Sequence, residues 1–246
     1  MENAQNKFYS SISKYYSEIF PYSAMQQKFV QACVGNLDQK QILDIGCATG
    51  ELAFHLAGSG ATVAGIDLNE DLLNQAIQNK IHPKLQFRQG NMLELATDFR
   101  KEQFDAVLCF GNTLVHLQSE EGVEHMLNGV NNVLKPGGHF LLQILNYDYI
   151  LGEKVSELPL IETENIRFIR NYKFQNNSAL IRFQTDLQIK AEDTTVSNQT
   201  TLLALKSSKL TELLERAGFK NIQLYANFKQ ETFGGAHLPL VVSCRK

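Results

Sequence analysis

Apolar positions along the chain alternate between two rhythms. Residues 41–45 carry Ile42, Leu43 and Ile45 as a short continuous run, as expected of a parallel strand covered on both faces. Further strands are predicted over 62–66, 85–89, 104–110 and 139–145. Between them the spacing changes to the helical period. Leu52 and Leu56 stand one turn apart. Leu72, Leu73, Ala76 and Ile77 form an apolar face behind Asn69, a good N-cap, and Val123, Met126, Leu127, Val130 and Val133 follow Ser119. Leu134-Lys135-Pro136-Gly137-Gly138 ends that helix and turns the chain. Strands alternating with helices require a parallel sheet with right-handed crossovers.

At the N-terminus, residues 7–20 place Phe8, Ile12, Tyr15, Tyr16 and Ile19 at helical spacing up to Pro21, and a second helix follows over 26–34. Two readings stand: helices that cover a sheet edge, or a lid with Tyr15 or Tyr16 reaching a ligand. Residues 146–206 break the rhythm. Phe183, Thr185, Leu187 and Ile189 alternate with Arg182, Gln184, Asp186, Gln188 and Lys190, the period of an antiparallel strand with one wet face. Residues 167–174 can pair with it across 175–178, and 200–205 supply a third strand. A helix over 208–217 and two closing strands, 221–228 and 238–244, complete the chain. The organisation expected is a helical cap (1–40), an α/β domain (41–145 and 207–246) and an inserted antiparallel subdomain (146–206).

Composition changes this picture little. A chain of 246 residues with 43% hydrophobic and 20% charged residues can bury one large core. The net charge of −3 supplies no global field for a nucleic acid or an anionic membrane. Cys33, Cys47, Cys109 and Cys244 lack any metal-ligand or CxxC spacing, so no metal is expected and reduced thiols in a cytoplasmic protein are. No run is long enough to span a bilayer, and the first residues do not read as a leader.

The candidate chemistry begins where strand 41–45 enters a turn. Gly46 and Gly50 leave room for a ligand to approach the backbone, and Thr49 can cap the helix starting near Glu51, whose free N–H groups suit the polar part of a ligand. Asp67 ends the second strand 21 residues after Gly46. That offset favours a carboxylate accepting hydrogen bonds from ribose hydroxyls over a solvated helix cap.

The set Asp44-Ile45-Gly46-Cys47-Ala48-Thr49-Gly50, Asp67, Gly90-Asn91-Met92, Phe104-Asp105-Ala106-Val107-Leu108 and Leu134-Lys135-Pro136-Gly137-Gly138 resembles the class I methyltransferases that use S-adenosylmethionine. The resemblance implies a Rossmann-like, mostly parallel seven-stranded sheet with helices on both faces and strand seven antiparallel. It assigns cofactor binding to Asp44, Gly46, Cys47, Ala48, Gly50, Asp67, Leu68, Asn91, Met92 and Phe110. Ala48 stands at the middle glycine of the usual GxGxG turn, and Asn91 where an aspartate more often meets the adenine amino group.

Two stretches are similar to motifs of the glycine and sarcosine N-methyltransferases: residues 109–117, CFGNTLVHL, and residues 146–151, NYDYIL. That similarity implies that Asn112 faces the substrate with Asn146 and Tyr147, that Tyr16 approaches the sulfonium, and that the insert roofs the acceptor pocket. An arginine that holds the substrate carboxylate in that group is Leu145 here, and Arg170, on a strand face with Phe168, Tyr172 and Phe174, has two readings, a replacement cation or a solvated arginine. His116 joins Asn112 and Tyr16 in the catalytic set as a proton acceptor of near-neutral pKa, with structural hydrogen bonding as its other reading.

The function expected is direct in-line methyl transfer to a small-molecule acceptor, at an amine nitrogen, without metal; a homo-oligomer is left open. The alternative is a cofactor-binding regulator or scaffold without catalysis. GCATGE is not the GxGxxG of nicotinamide oxidoreductases, and neither a Pro-Pro-Tyr motif nor a basic stripe beyond Arg167, Arg170, Lys173 and Arg182 marks a nucleic-acid methyltransferase.

Overall fold

The computed structural model describes residues 4–175 and 178–246. In chain order the elements are α1 (Ala4–Ile12), a 3₁₀ turn (Ser13–Tyr15), α2 (Tyr16–Ile19), α3 (Ala24–Val34), β1 (Gln41–Ile45), α4 (Glu51–Gly58), β2 (Thr62–Asp67), α5 (Glu70–Asn79) and β3 (Leu85–Gln89). Then follow α6 (Leu95–Asp98), β4 (Phe104–Cys109), a second 3₁₀ turn (Thr113–His116), α7 (Glu120–Val133), β5 (Leu134–Leu145) and α8 (Tyr147–Gly152). The chain closes with β6 (Ile161–Glu162), β7 (Ile166–Phe174), β8 (Leu180–Ile189), β9 (Thr194–Leu203), α9 (Ser207–Arg216), β10 (Lys220–Tyr225) and β11 (Pro239–Arg245).

Seven strands form one sheet in the order β10-β11-β5-β4-β1-β2-β3. It is parallel except for β11, which runs antiparallel to both β5 and β10. The expected doubly covered, mostly parallel fold is what the chain adopts. Alternate residues of the central strands enter opposite layers. Ile42, Ala106, Leu108 and Leu141 pack with Phe29, Val30 and Leu56 of α3 and α4. Leu43, Ile45, Val107 and Leu142 pack with α7 and α9. The order places the ends of β1 and β4 side by side, at the switch where connections diverge to opposite faces and a crevice opens.

Residues 161–203 build the second sheet, β6-β7-β8-β9, antiparallel throughout. Its face bearing Ile166, Phe168, Leu187 and Ile189 packs on Phe8, Ile12 and Ile19 of the N-terminal segment. β9 begins earlier than the predicted third strand, because its first residues are polar but for Val196, with no apolar alternation to mark them. Of the predicted connection over 175–178, residues 176 and 177 lie outside the described residues.

Several local expectations are corrected. The predicted helix over 7–20 is broken into α1, a 3₁₀ turn and α2. Ser11 and Ser13 donate their hydroxyls to Phe8 O and Ser10 O at 2.7 and 2.8 Å, and such back-bonding competes with helical hydrogen bonding. Thr49 is not the cap of α4. Gly50 occupies that position with φ +76° and no side-chain cap, while Thr49 Oγ1 lies 3.1 Å from Ser17 Oγ. Ile77, expected in the core, is half exposed. Asn69 and Ser119 do cap α5 and α7, accepting from Leu72 N and Gly122 N.

Candidate active site

The crevice at the ends of β1, β2 and β4 is a cavity of about 740 Å³. Its floor is the turn after β1. Gly46 N and Cys47 N both donate to Ile66 O, at 2.8 and 3.0 Å, which ties the turn to β2. Gly46 and Gly50 have φ of +71° and +76°, and protein atoms crowd both positions. A Cβ on Gly46 would meet the Thr113 side chain at 2.7 Å, and one on Gly50 would meet the Phe87 ring at 2.3 Å. These glycines therefore let the turn pack against its own neighbours, where the sequence suggested space for a ligand. Ala48 also takes a left-handed backbone, φ +48°, which is strained for a residue with a Cβ.

Asp67 stabilises that strained turn. Its Oδ2 accepts from Ala48 N at 2.9 Å and its Oδ1 from Asn69 N at 2.8 Å. Each carboxylate oxygen keeps a lone pair for a further donor. Asp44, buried at the end of β1, forms no ion pair among the described residues, and neither does Asp67. Burial raises the pKa of Asp44 to about 7, with a further push from the negative charge of Asp67. Burial also raises Asp67, against the hydrogen bonds from Asn69, Ala48 and Leu68. A buried and a partly buried acid, with no ion pair to either among the described residues, form an acceptor set suited to a ligand with hydroxyl donors and positive charge. S-adenosylmethionine, with its ribose, ammonium and sulfonium, meets that requirement.

The N-terminal segment covers the cavity, and of the two tyrosines considered for a lid Tyr16 lines it and Tyr15 does not. Tyr9, Tyr16 and Phe20 line the cavity, whereas Lys14 stacks its ammonium 5.1 Å from the Tyr15 ring away from it. Tyr9 was not anticipated from the sequence. Its hydroxyl lies 2.9 Å from His116 Nε2. Its position seven residues before Tyr16, two helical turns on one face, was the available signal. Asn69 Nδ2 fastens α1 from below, donating to Asn6 O, Asn6 Oδ1 and Ser10 Oγ.

Of the predicted site residues, Asp44, Gly46, Cys47, Ala48, Asp67, Leu68, Met92, Phe110, Tyr16 and His116 converge on this cavity. Others turn elsewhere. Asn91 Oδ1 accepts from Leu93 N in a local turn, and its flanking residues Gly90 and Met92 line the cavity instead. Gly50 faces Phe87. Asn112 braces the scaffold: its Oδ1 accepts from Leu145 N at 2.9 Å and its Nδ2 donates to Tyr147 Oη at 3.2 Å. Tyr147 is fully buried in the core. Asn146 caps α8 through Tyr149 N and donates to His237 O. Arg170 donates from Nη2 to Pro159 O at 2.7 Å, and its buried Nε has no partner. None of these four lines the cavity. The near-neutral pKa expected of His116 is corrected as well. Burial lowers it to about 4, so the ring is neutral at pH 7, and its Nδ1 is buried without a partner.

All four cysteines are free thiols, no cluster of metal-ligating side chains occurs among the described residues, and no helix among them is long and apolar enough to cross a membrane.

A glycine/sarcosine N-methyltransferase from Aphanothece halophytica is 27% identical over 94% of this chain and 86% of its own length. Other curated relatives, 34–35% identical, are spanned over only 47–58% of their own length. Two solved structures share the fold. The CcbJ methyltransferase from Streptomyces caelestis superposes with a TM-score of 0.80 at 21% identity, over 95% of each chain. An S-adenosylmethionine-dependent methyltransferase from Clostridium acetobutylicum superposes at 0.78 and 18% identity, over 99% of each. The profile of the methyltransferase-domain family matches residues 36–218, so the chain belongs to that family and is an S-adenosylmethionine-dependent methyltransferase.

Proposed function

We propose that the protein methylates a small molecule at an amine nitrogen by direct in-line transfer. The observation that carries this reading is the enclosure of the cavity: Tyr9, Tyr16 and Phe20 from the N-terminal segment close over the β1 turn and the 3₁₀ turn bearing His116. A site roofed in this way suits a small acceptor. The relative named for glycine and sarcosine methylation, aligned along nearly the whole chain, supports nitrogen as the accepting atom.

When bound, the cofactor supplies a methyl group already activated on a sulfonium. The chain's own work is then to position, desolvate and exclude water. Asp67 would receive ribose hydroxyls, Asp44 the positive end of the methionine part, and Met92 with Leu68 would flank the adenine. Tyr9, Tyr16 and His116 would border the methyl. A neutral His116 offers hydrogen bonding and shape there, so the acceptor nitrogen enters with its lone pair already free.

Calorimetry with S-adenosylmethionine and its demethylated product, followed by a radiolabelled-methyl screen over amines, amino acids and phenols, tests the reading. Cofactor binding with turnover on amines is the expected result. Exclusive turnover on phenols would overturn the nitrogen assignment. Binding without turnover on the whole panel would assign the chain to the regulator class, and absence of binding would overturn the site itself.

A further inference from the structure

The charge distribution of the cavity restricts its acceptor. No arginine or lysine side chain is among the described residues that line it. Glu51 is neutralised by Lys80 at 2.7 Å, whereas Asp44 and Asp67 form no ion pair among the described residues, so the ligand-free cavity holds acids and no unpaired cation there. Arg170 lies outside the lining with Nη2 held by Pro159 O. On the roof, the Tyr16 ring centroid is 6.3 Å from that of Tyr9 and 5.2 Å from that of Phe20, and the Tyr9 ring is 5.5 Å from the His116 ring. The cavity thus combines acids, aromatic rings and no forked cation.

We propose that the acceptor is an amine that bears no carboxylate, and that Tyr9, Tyr16 and Phe20 enclose the ammonium cation into which methylation converts it. The inference rests on the N-methyltransferase reading above. The nitrogen lone pair forms the new N–C bond while the C–S pair returns to sulfur, so a positive charge passes from sulfur to nitrogen. A primary or secondary amine leaves as a protonated higher amine and a tertiary amine as a quaternary ammonium, and neither needs a base in the transfer step. Aromatic faces attract such a cation. An acceptor carboxylate would find no arginine or lysine in the lining to pair it, because the charge-assisted forked bonds that select carboxylates are missing there.

The test uses the full chain saturated with the demethylated cofactor product, with tetramethylammonium and acetate as calorimetric probes. Tetramethylammonium is expected to bind at least about tenfold more tightly than acetate. Tyr16→Leu should weaken it by about fivefold or more, and Tyr16→Phe, which keeps the ring, by less than about twofold. Acetate binding as tightly as tetramethylammonium, no tetramethylammonium binding, or an unchanged Tyr16→Leu would each overturn the proposal. Matched methyl acceptors give a second readout: pyrrolidine should exceed proline, and phenethylamine should exceed phenylalanine, in kcat/KM. Preference for the amino acids would overturn the proposal and direct attention to Arg170. Failure of the cofactor product itself to bind would count against the proposed function instead.

Discussion

Cofactor affinity should depend on pH through Asp44. This carboxyl is buried beside Asp67 with no counter-ion among the described residues, and its pKa is raised to about 7 from the ordinary 3.8. That difference corresponds to about 4 kcal/mol, at roughly 1.4 kcal/mol for each tenfold change in proton affinity. The folded protein binds this proton more tightly than the unfolded chain does. The stabilisation is therefore full below the ordinary carboxylate range and is lost as pH rises through about 7. Above that pH the ligand-free fold carries a buried, uncompensated charge, which the positive groups of S-adenosylmethionine would compensate. Binding should then expel the Asp44 proton, and the apparent Kd should be about tenfold weaker at pH 6 than at pH 8. Calorimetry at the two pH values, repeated in buffers of different ionisation enthalpy, measures both the affinity and the protons released. Asp44→Asn should bind weakly at both and release none. A wild-type Kd that is flat between pH 6 and 8 with no proton release would refute the assignment of Asp44 to the cationic end of the cofactor.

Three further outcomes follow from the same geometry. Because His116 is neutral down to about pH 4, the kcat profile should show no ionisation of an imidazole near pH 6.5; an inflection there that disappears in His116→Gln would restore the general-base reading. Gly50→Ala should cost about 2 kcal/mol or more in urea unfolding, from the left-handed backbone and the Phe87 contact, while Ala48→Gly should stabilise by about 0.5–1 kcal/mol through relief of its φ; the opposite signs would show that the cofactor, not the protein, sets these positions. Asn112→Ala should lose about 1–3 kcal/mol of stability by leaving Leu145 N unpaired, and a variant of unchanged stability with a raised acceptor KM would return Asn112 to the pocket.

Much of the fold was legible in sequence because it depends on which faces are apolar. Runs such as Ile42-Leu43 and Val107-Leu108 must be covered on both sides, and helices with one apolar stripe are available to cover them. Asp67 was legible too, since a strand-end acid at that offset from the glycine turn lies beside it whatever the side chains around it do. The N-terminal break was less so: Phe8, Ile12 and Ile19 mark the buried face, but the serine hydroxyls that interrupt the helix act through backbone bonds that leave no period.

What only the tertiary structure decided is where each polar side chain spends its hydrogen bonds. Asn112, Asn146 and Asn91 sit in motif positions that suggested ligand contacts, yet buried backbone N–H and carbonyl groups nearby claim their amides first. Arg170 was read as a substrate cation, but the Pro159 carbonyl holds its guanidinium. Tyr9 enters the site through His116, 107 residues away, a partnership no local pattern encodes. Hydrophobic periodicity, by itself, determines the layers and the crevice between them. The competition for hydrogen bonds among groups distant in sequence, resolved only when the layers close, decides which residues face the cavity and what charge it presents.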